Sequence, residues 1–278
     1  MNKRNILETL KTARQKGYAL PAFNIFNYVS AKGVIEAANE LHRPIIIQTS
    51  TGTVKEFGVN ELFGLLKPLL DASEEAVFLN LDHCTSPEFA RQCVDAGWDM
   101  VMFDGSKLPF EENIKLSKEI TEYANKKGVY VEGELGTIAG VEEDIAAESG
   151  SEASFEDCME YLKKSGINIF APAVGTAHGV YKGVPKLNFE LVDRLSEAVD
   201  TPLVIHGGTG LSEENFKRFV QNGASKINIS TALKHAYLDG MKKYLEQNID
   251  KYNPLDADRV VKEQIKEVAK THINMFQI

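Results

Sequence analysis

Eight short apolar runs recur along this chain, with helical segments between them, and that alternation limits the possible folds more than any other feature. The runs are LPAFNI (20–25), PIIIQTS (44–50), AVFLNLDH (76–83), DMVMFDGS (99–106), GVYVEGELG (128–136), NIFAPAVG (168–175), TPLVIHGG (201–208) and SKINIST (225–231). Most are continuously apolar, the pattern of strands covered on both faces. VSAKGVIEAANELHR sets Val34, Ala37, Ala38 and Leu41 on one helical face. SPEFARQCVDAGW opens with a Ser cap and a first-turn Pro and stops at Gly97. LSEENFKRFVQNG is capped by Ser212 and stops at Gly223. Strand and helix alternate about every 25–30 residues, which indicates βαβ units on a parallel sheet. Eight such units in 278 residues fit a closed (β/α)8 TIM barrel. A doubly wound open sheet is the alternative, but no strand is followed by GxGxxG, which argues against a dinucleotide site.

The expected organisation is one barrel domain over residues 1–278, with two further helices in 232–278. An acidic, small-residue-rich insert, GTIAGVEEDIAAESGSEAS (136–154), reads as an irregular, mobile loop over a site. The formal charge of −9 and the absence of a basic run argue against nucleic-acid or membrane partners. MNKRNILETLKTARQ reads as an amphipathic surface helix with no signal peptide, and no window approaches the roughly 18 apolar residues of a membrane span. Cys84, Cys93 and Cys158 form no CxxC pair, so a reduced, cytoplasmic protein is expected.

Barrel enzymes place their chemistry at the C-terminal ends of the strands. Those ends carry Ser50, Asp82 with His83, Asp104, Glu132 and Glu134, His178, His206, and Asn228 with Ser230 and Thr231. Three of the six histidines therefore fall on one rim, while His42, His235 and His272 lie in predicted helices and carry no special role. Three imidazoles that leave a position open are the ligand set of a catalytic zinc. Glycines flank two of them, in TAHGVYKG and VIHGGTG, where backbone N–H groups can approach an anion. HGGTGLSEEN and NIST each lead into a helix start, and helix starts after strands seven and eight form the usual phosphate site of such barrels.

LDH (81–83), ELGTIAG (134–140), GTAHGVYKG (175–183), HGGTGL (206–211) and KINIST (226–231) resemble, in order, the motifs of the class II, metal-dependent ketose-bisphosphate aldolases. The resemblance implies a barrel that forms dimers or tetramers and acts on a phosphorylated ketose. It implies His83, His178 and His206 as zinc ligands, and Asp104 and Glu134 at a second metal position. Asp82 becomes the acid serving the sugar's C4 hydroxyl, and Glu142, on the loop, the acid handling the C3 proton. Gly179, Gly207, Gly208, Thr209 and the run Asn228, Ile229, Ser230, Thr231 match the binder of the 1-phosphate. Ser50 matches another phosphate contact, and a monovalent cation (Na+ or K+) accompanies that phosphate. Cleavage of a C3–C4 bond leaves a carbanion beside a carbonyl, which a Lewis-acid metal stabilises, so no Schiff-base lysine is required.

Two departures concern the substrate. The family commonly carries DPR after the last barrel helix, its Arg gripping the distal phosphate from a neighbouring subunit; here the stretch is Asn253-Pro254-Leu255. Leu cannot pair with a phosphate as Arg does. Arg259 and Lys262 lie nearby as distal-group candidates without occupying that place. Ser230 stands where fructose-type enzymes carry Asn or Asp and tagatose-type enzymes Ala. The distal group therefore stays open: phosphate, as in fructose- or tagatose-bisphosphate, a sulfonate, as in 6-deoxy-6-sulfofructose 1-phosphate, or a neutral end. A metal-dependent hydrolase or isomerase, or a non-catalytic phosphosugar-binding barrel, are the alternatives from other classes.

Overall fold

The computed structural model describes residues 5–142, 145–147, 150–179 and 185–277, with the side chains of 141, 142 and 145–147 outside that description. Eight strands form a closed barrel: β1 (Leu20–Asn24), β2 (Ile45–Ser50), β3 (Val77–Cys84), β4 (Met100–Phe103), β5 (Tyr130–Leu135), β8 (Ile169–Pro172), β10 (Leu203–Ile205) and β11 (Ala224–Ile229). Every neighbouring pair is parallel and β1 closes onto β11, so the open-sheet alternative is excluded. The eight strands coincide with the eight apolar runs, most of them trimmed at the ends, with β3 extended to Cys84 and β11 starting at Ala224. The helices are α1 (Ile6–Gln15), α2 (Tyr28–Leu41), α3 (Thr51–Phe57), α4 (Val59–Ala72), α5 (Pro87–Ala96) and α6 (Phe110–Asn125). They continue with α7 (Phe155–Ser165), α8 (Phe189–Ala198), α9 (Glu213–Gln221), α10 (Thr231–Gln247) and α11 (Pro254–Met275). The predicted caps form: Ser86 and Ser212 each accept a backbone N–H of the first turn, and Gly97 ends α5 with φ 109°. His42 is not within a helix; it caps α2 in the left-handed region, with φ 52°.

Two apolar cores explain why the polar residues collect at one end. The larger lies between the helices and the outside of the barrel. The smaller fills the barrel from below: Leu20, Phe78, Met100 and Ile169, near the starts of their strands, pack with Ile6, Leu10 and Ala13 of α1. Helix α1 thus closes the N-terminal end, and truncating one of these large side chains would cost about 3–5 kcal/mol. The C-terminal end is left to Asp82, His83, Asp104, Glu134 and His206, all buried. Helix α11 is held against α2 at Gly33, where an added Cβ would come 2.8 Å from Lys262 O, and by Lys262 with Glu36 and Lys266 with Glu40.

The 136–154 insert is not irregular throughout. Strand β6 (Ala139–Glu142) pairs antiparallel with β7 (Ile145–Ala147), and β6 also pairs in parallel with the two-residue strand β9 (Ala177–His178). The segment lacks the polar–apolar alternation of a half-buried hairpin, and β9 lies far along the chain, so no local pattern announces the pairing.

Candidate active site

His83 enters the site through a break in its strand. The β3–β4 register shifts between Leu81 and Cys84, and His83 takes φ 47°, unusual for a residue with a Cβ. Such an irregularity re-aims a side chain, and strain of this kind gathers at functional positions. Asp104, just past β4, holds His83 Nδ1 at 3.0 Å and is itself anchored by the backbone N–H and the hydroxyl of Ser106. That leaves His83 Nε2 turned inward, 2.8 Å from His206 Nδ1. His178 stands edge-on to His83, with ring centroids 4.9 Å apart and an 87° interplanar angle. It is placed there by β9, whose partner strand β6 also carries the backbone of Glu142. The small sheet therefore brings a predicted ligand and the predicted loop acid onto neighbouring strands.

The three imidazoles have ligand atoms within 4.8 Å of one another, and so does the set His83, Asp104 and Glu134. Glu134 Oε2 is buried without a hydrogen-bond partner, 3.7 Å from His206 Nδ1. An unsatisfied buried carboxylate oxygen is costly unless something cationic meets it. Nitrogen from three imidazoles with an adjacent carboxylate is a donor set suited to zinc or a similar divalent ion. The residues present thus fit the predicted metal.

The charges of two of the three rings agree with that fit. Burial, then the neighbouring imidazoles, holds His178 well below the usual histidine range, and burial lowers His206 despite Glu132. Both rings are therefore neutral, the form that binds metal. Burial works against a charged His83, but the carboxylates of Asp82, Asp104 and Glu134 outweigh it and raise that ring well above its ordinary value. Burial and the Asp104 charge push Glu134 up, whereas at Asp104 burial is outweighed by the hydrogen bond and charge of His83 together with the hydrogen bonds from Ser106, and the group is lowered.

Beneath the rim lies a support whose role the sequence reading did not assign: it set Glu132 at the rim and left Lys226 unnamed. His206 Nε2 is 2.8 Å from Glu132 Oε1, and Lys226 Nζ is 2.7 Å from Glu132 Oε2, with all three side chains fully buried. This carboxylate fixes the ring so that Nδ1 faces the other histidines, the usual arrangement behind a metal-binding imidazole. Asp82 is gripped from two sides, by Asn24 Nδ2 at 2.9 Å and Asn228 Nδ2 at 3.2 Å. Asn24, Gln48 and Asn80 were also missed. Their signal was a polar residue inside an otherwise apolar strand, the pattern of a barrel lumen turning toward function.

Gly179, Gly207, Gly208, Thr209, Asn228, Ser230 and Thr231 line one small cleft with His178. The predicted phosphate residues are thus brought together, except Ser50 and Ile229. Ile229 points into the apolar core, as strand alternation requires between Asn228 and Ser230. Gly207 has φ 66°, and a Cβ there would come 2.5 Å from Ala177 O, so only glycine fits. Ser230 Oγ and Asn228 Oδ1 are buried there without partners.

The remaining predicted residues divide. Ser50 sits beside Asp82 in the β2–β3 register, but its hydroxyl caps α3 by accepting from Thr53 N at 3.1 Å. The side chain of Glu142 lies outside the described residues. Leu255 is 65% exposed in the first turn of α11. Arg259 pairs with Asp256, and Lys262 with Glu36, so neither is turned to the rim of its own barrel.

A barrel whose polar rim gathers three imidazoles, carboxylates and a glycine-lined cleft has the make-up of the metal-assisted enzymes that work on phosphorylated small molecules. The model of the family "Fructose-bisphosphate aldolase class-II" matches residues 4–278. The fructose-bisphosphate aldolase of Staphylococcus epidermidis is 35% identical over 274 residues, covering 97% of this chain and 95% of its own. That of Staphylococcus aureus is 36% identical over the same shares. The crystal structure of the YdjI aldolase from Escherichia coli K12 superposes with a TM-score of 0.87 at 32% identity, covering 98% of this chain and 96% of that one. The chain belongs to the class II fructose-bisphosphate aldolase family and is a carbon–carbon lyase.

Proposed function

We propose that the chain cleaves a ketose 1-phosphate reversibly to dihydroxyacetone phosphate and an aldehyde. The observation that carries this is the adjacency of the imidazole cluster, the gripped Asp82 and the anion cleft on one rim. His83, His178 and His206 would hold a divalent metal, zinc by donor type, with Asp104 and Glu134 at a second position. When bound, that metal supplies Lewis-acid polarisation of the ketose carbonyl. Backbone N–H groups of Gly179, Gly207 and Gly208, with Thr209, Ser230 and Thr231, bind the 1-phosphate at the start of α10. Ser50 and a monovalent cation assist at a phosphate. In the cleavage direction Asp82 takes the proton from the C4 hydroxyl as the aldehyde forms, and Glu142 returns a proton to C3. In the condensation direction both protons run backwards.

The finer substrate reading concerns the distal end. Leu255 stands where an arginine would meet a distal phosphate, which supports a sulfonate or a neutral group there over fructose- or tagatose-bisphosphate. Leu238, Leu245, Ile249, Tyr252 and Leu255 are exposed on α10, on α11 and between them, which supports a homodimer or homotetramer. We read residues 1–278 as one functional unit. The three buried free thiols support a reducing, cytoplasmic setting, and among the described residues no helix is long and apolar enough to cross a membrane.

The test is a cleavage assay with and without a chelator on fructose 1,6-bisphosphate, tagatose 1,6-bisphosphate, fructose 1-phosphate and 6-deoxy-6-sulfofructose 1-phosphate. Dihydroxyacetone phosphate should appear only with metal. Full activity after metal removal would overturn the reaction, and highest efficiency on fructose 1,6-bisphosphate would overturn the distal-group reading alone.

A further inference from the structure

Four buried amides converge on one carboxylate. Asn24, Gln48 and Asn80 sit side by side on β1, β2 and β3, because the register pairs Asn24 with Gln48 and Gln48 with Asn80. Asn80 Nδ2 donates to Gln48 Oε1 at 3.2 Å, Gln48 Nε2 to Asn24 Oδ1 at 2.7 Å, and Asn24 Nδ2 to Asp82 Oδ2 at 2.9 Å. Asn228 Nδ2 donates to the other oxygen, Asp82 Oδ1, at 3.2 Å. None of these side chains belongs to a residue more than 4% exposed.

The direction of the row follows from its end. A carboxylate oxygen only accepts, so Asn24 must turn its NH2 to Asp82 and its carbonyl to Gln48. Gln48 must then donate to that carbonyl, which leaves its own oxygen for Asn80. The polarity is thus settled by chemistry, whichever way a single amide is drawn. Three amide dipoles point the same way in a buried interior and strengthen one another. Without Gln48, the Asn24 carbonyl loses its donor, and nothing opposes rotation of that amide to set oxygen against oxygen at Asp82. Asp82 follows Asn80 by two residues on the same face of β3, so the strand and the row hold it together.

We propose that Gln48 and Asn80 are positioning residues. Acting through Asn24, they hold the Asp82 carboxyl in the orientation from which it exchanges a proton with the sugar's C4 oxygen. The proposal rests on the aldolase reading. The reaction itself separates this role from a general structural one. Loss of the C3 proton of dihydroxyacetone phosphate to the loop acid, and its exchange with solvent, needs the anion cleft and the metal ligands. Condensation needs in addition that C3 bonds to the aldehyde carbon while the aldehyde oxygen takes a proton from Asp82.

The experiment uses the full-length, zinc-loaded protein and its Gln48→Met variant. Condensation of dihydroxyacetone phosphate is followed with the aldehyde that the wild type uses fastest, and exchange of its C3 proton in deuterated water by NMR. In Q48M the condensation kcat should fall about tenfold, while exchange and the KM for dihydroxyacetone phosphate stay within about twofold and zinc content is retained. Asn80→Leu should show the same split to a smaller degree, and it carries the comparison if Q48M does not fold. Equal loss of condensation and exchange, or loss of zinc, would make the row merely structural and overturn the proposal, as would unchanged condensation. A wild type that neither exchanges nor condenses would overturn the aldolase reading beneath it.

Discussion

Replacing Lys226 with Met tests whether the buried pair under His206 supports the site as its geometry implies. Glu132 and Lys226 are fully buried and 2.7 Å apart, on strands β5 and β11 that are not neighbours in the barrel. Burial alone would raise the Glu132 carboxyl; the Lys226 ammonium and His206 outweigh it and bring the group from 4.5 to about 2. A depression of that size corresponds to roughly 3 kcal/mol, within the range of about 3–5 kcal/mol for breaking a buried pair by removing one partner. Because the folded value is lowered, this stability is present above about pH 4.5 and is lost as pH falls toward about 2. In K226M the carboxylate stays buried without its cation. The melting temperature at pH 7.5 should fall by about 6–12 °C. Zinc affinity, read by chelator competition, should weaken about tenfold or more as His206 loses its fixed orientation. The double variant E132Q/K226M removes both charges and keeps an acceptor for His206, so it should be less destabilised than K226M. A K226M melting temperature within about 2 °C of wild type would refute the reasoning, because a buried carboxylate cannot lose its cation at so little cost.

Asp82→Ala should retain zinc and lose turnover by at least about a hundredfold, measured by metal analysis and cleavage rate; loss of zinc would reassign Asp82 as a ligand. Chelation should abolish cleavage and lower the melting temperature by mass action, with both restored by added zinc. Leu255→Arg should raise efficiency on fructose 1,6-bisphosphate by about tenfold or more while leaving fructose 1-phosphate unchanged. Burial pushes the thiols of Cys93 and Cys158 up to about 12. Folded values above the unfolded ones mean stability that is complete below about pH 9 and declines as pH rises from there to about 12. Urea unfolding at pH 7.5 and pH 10.5 should show that decline, and C93A/C158A should reduce it.

The sequence by itself determined the eight barrel strands and which polar residues stand at their ends. Strands covered on both faces must be apolar throughout, and caps must carry Ser, Pro and Gly, so the eight runs and the ends of α5 and α9 were legible from residue type alone. The histidines and acids were legible because a charged or imidazole group at the end of an apolar strand has few structural uses. Tertiary structure decided what depends on partners distant in the chain. Strand β9 exists because β6 lies beside it, so the small sheet that places His178 had no local signature. Glu132 and Lys226 are 94 residues apart, and only barrel closure makes their two buried charges tolerable together. The register of β1, β2 and β3 sets Asn24, Gln48 and Asn80 on one level beside Asp82. A polar residue within an apolar strand says that something must satisfy it; only the register says which neighbour does.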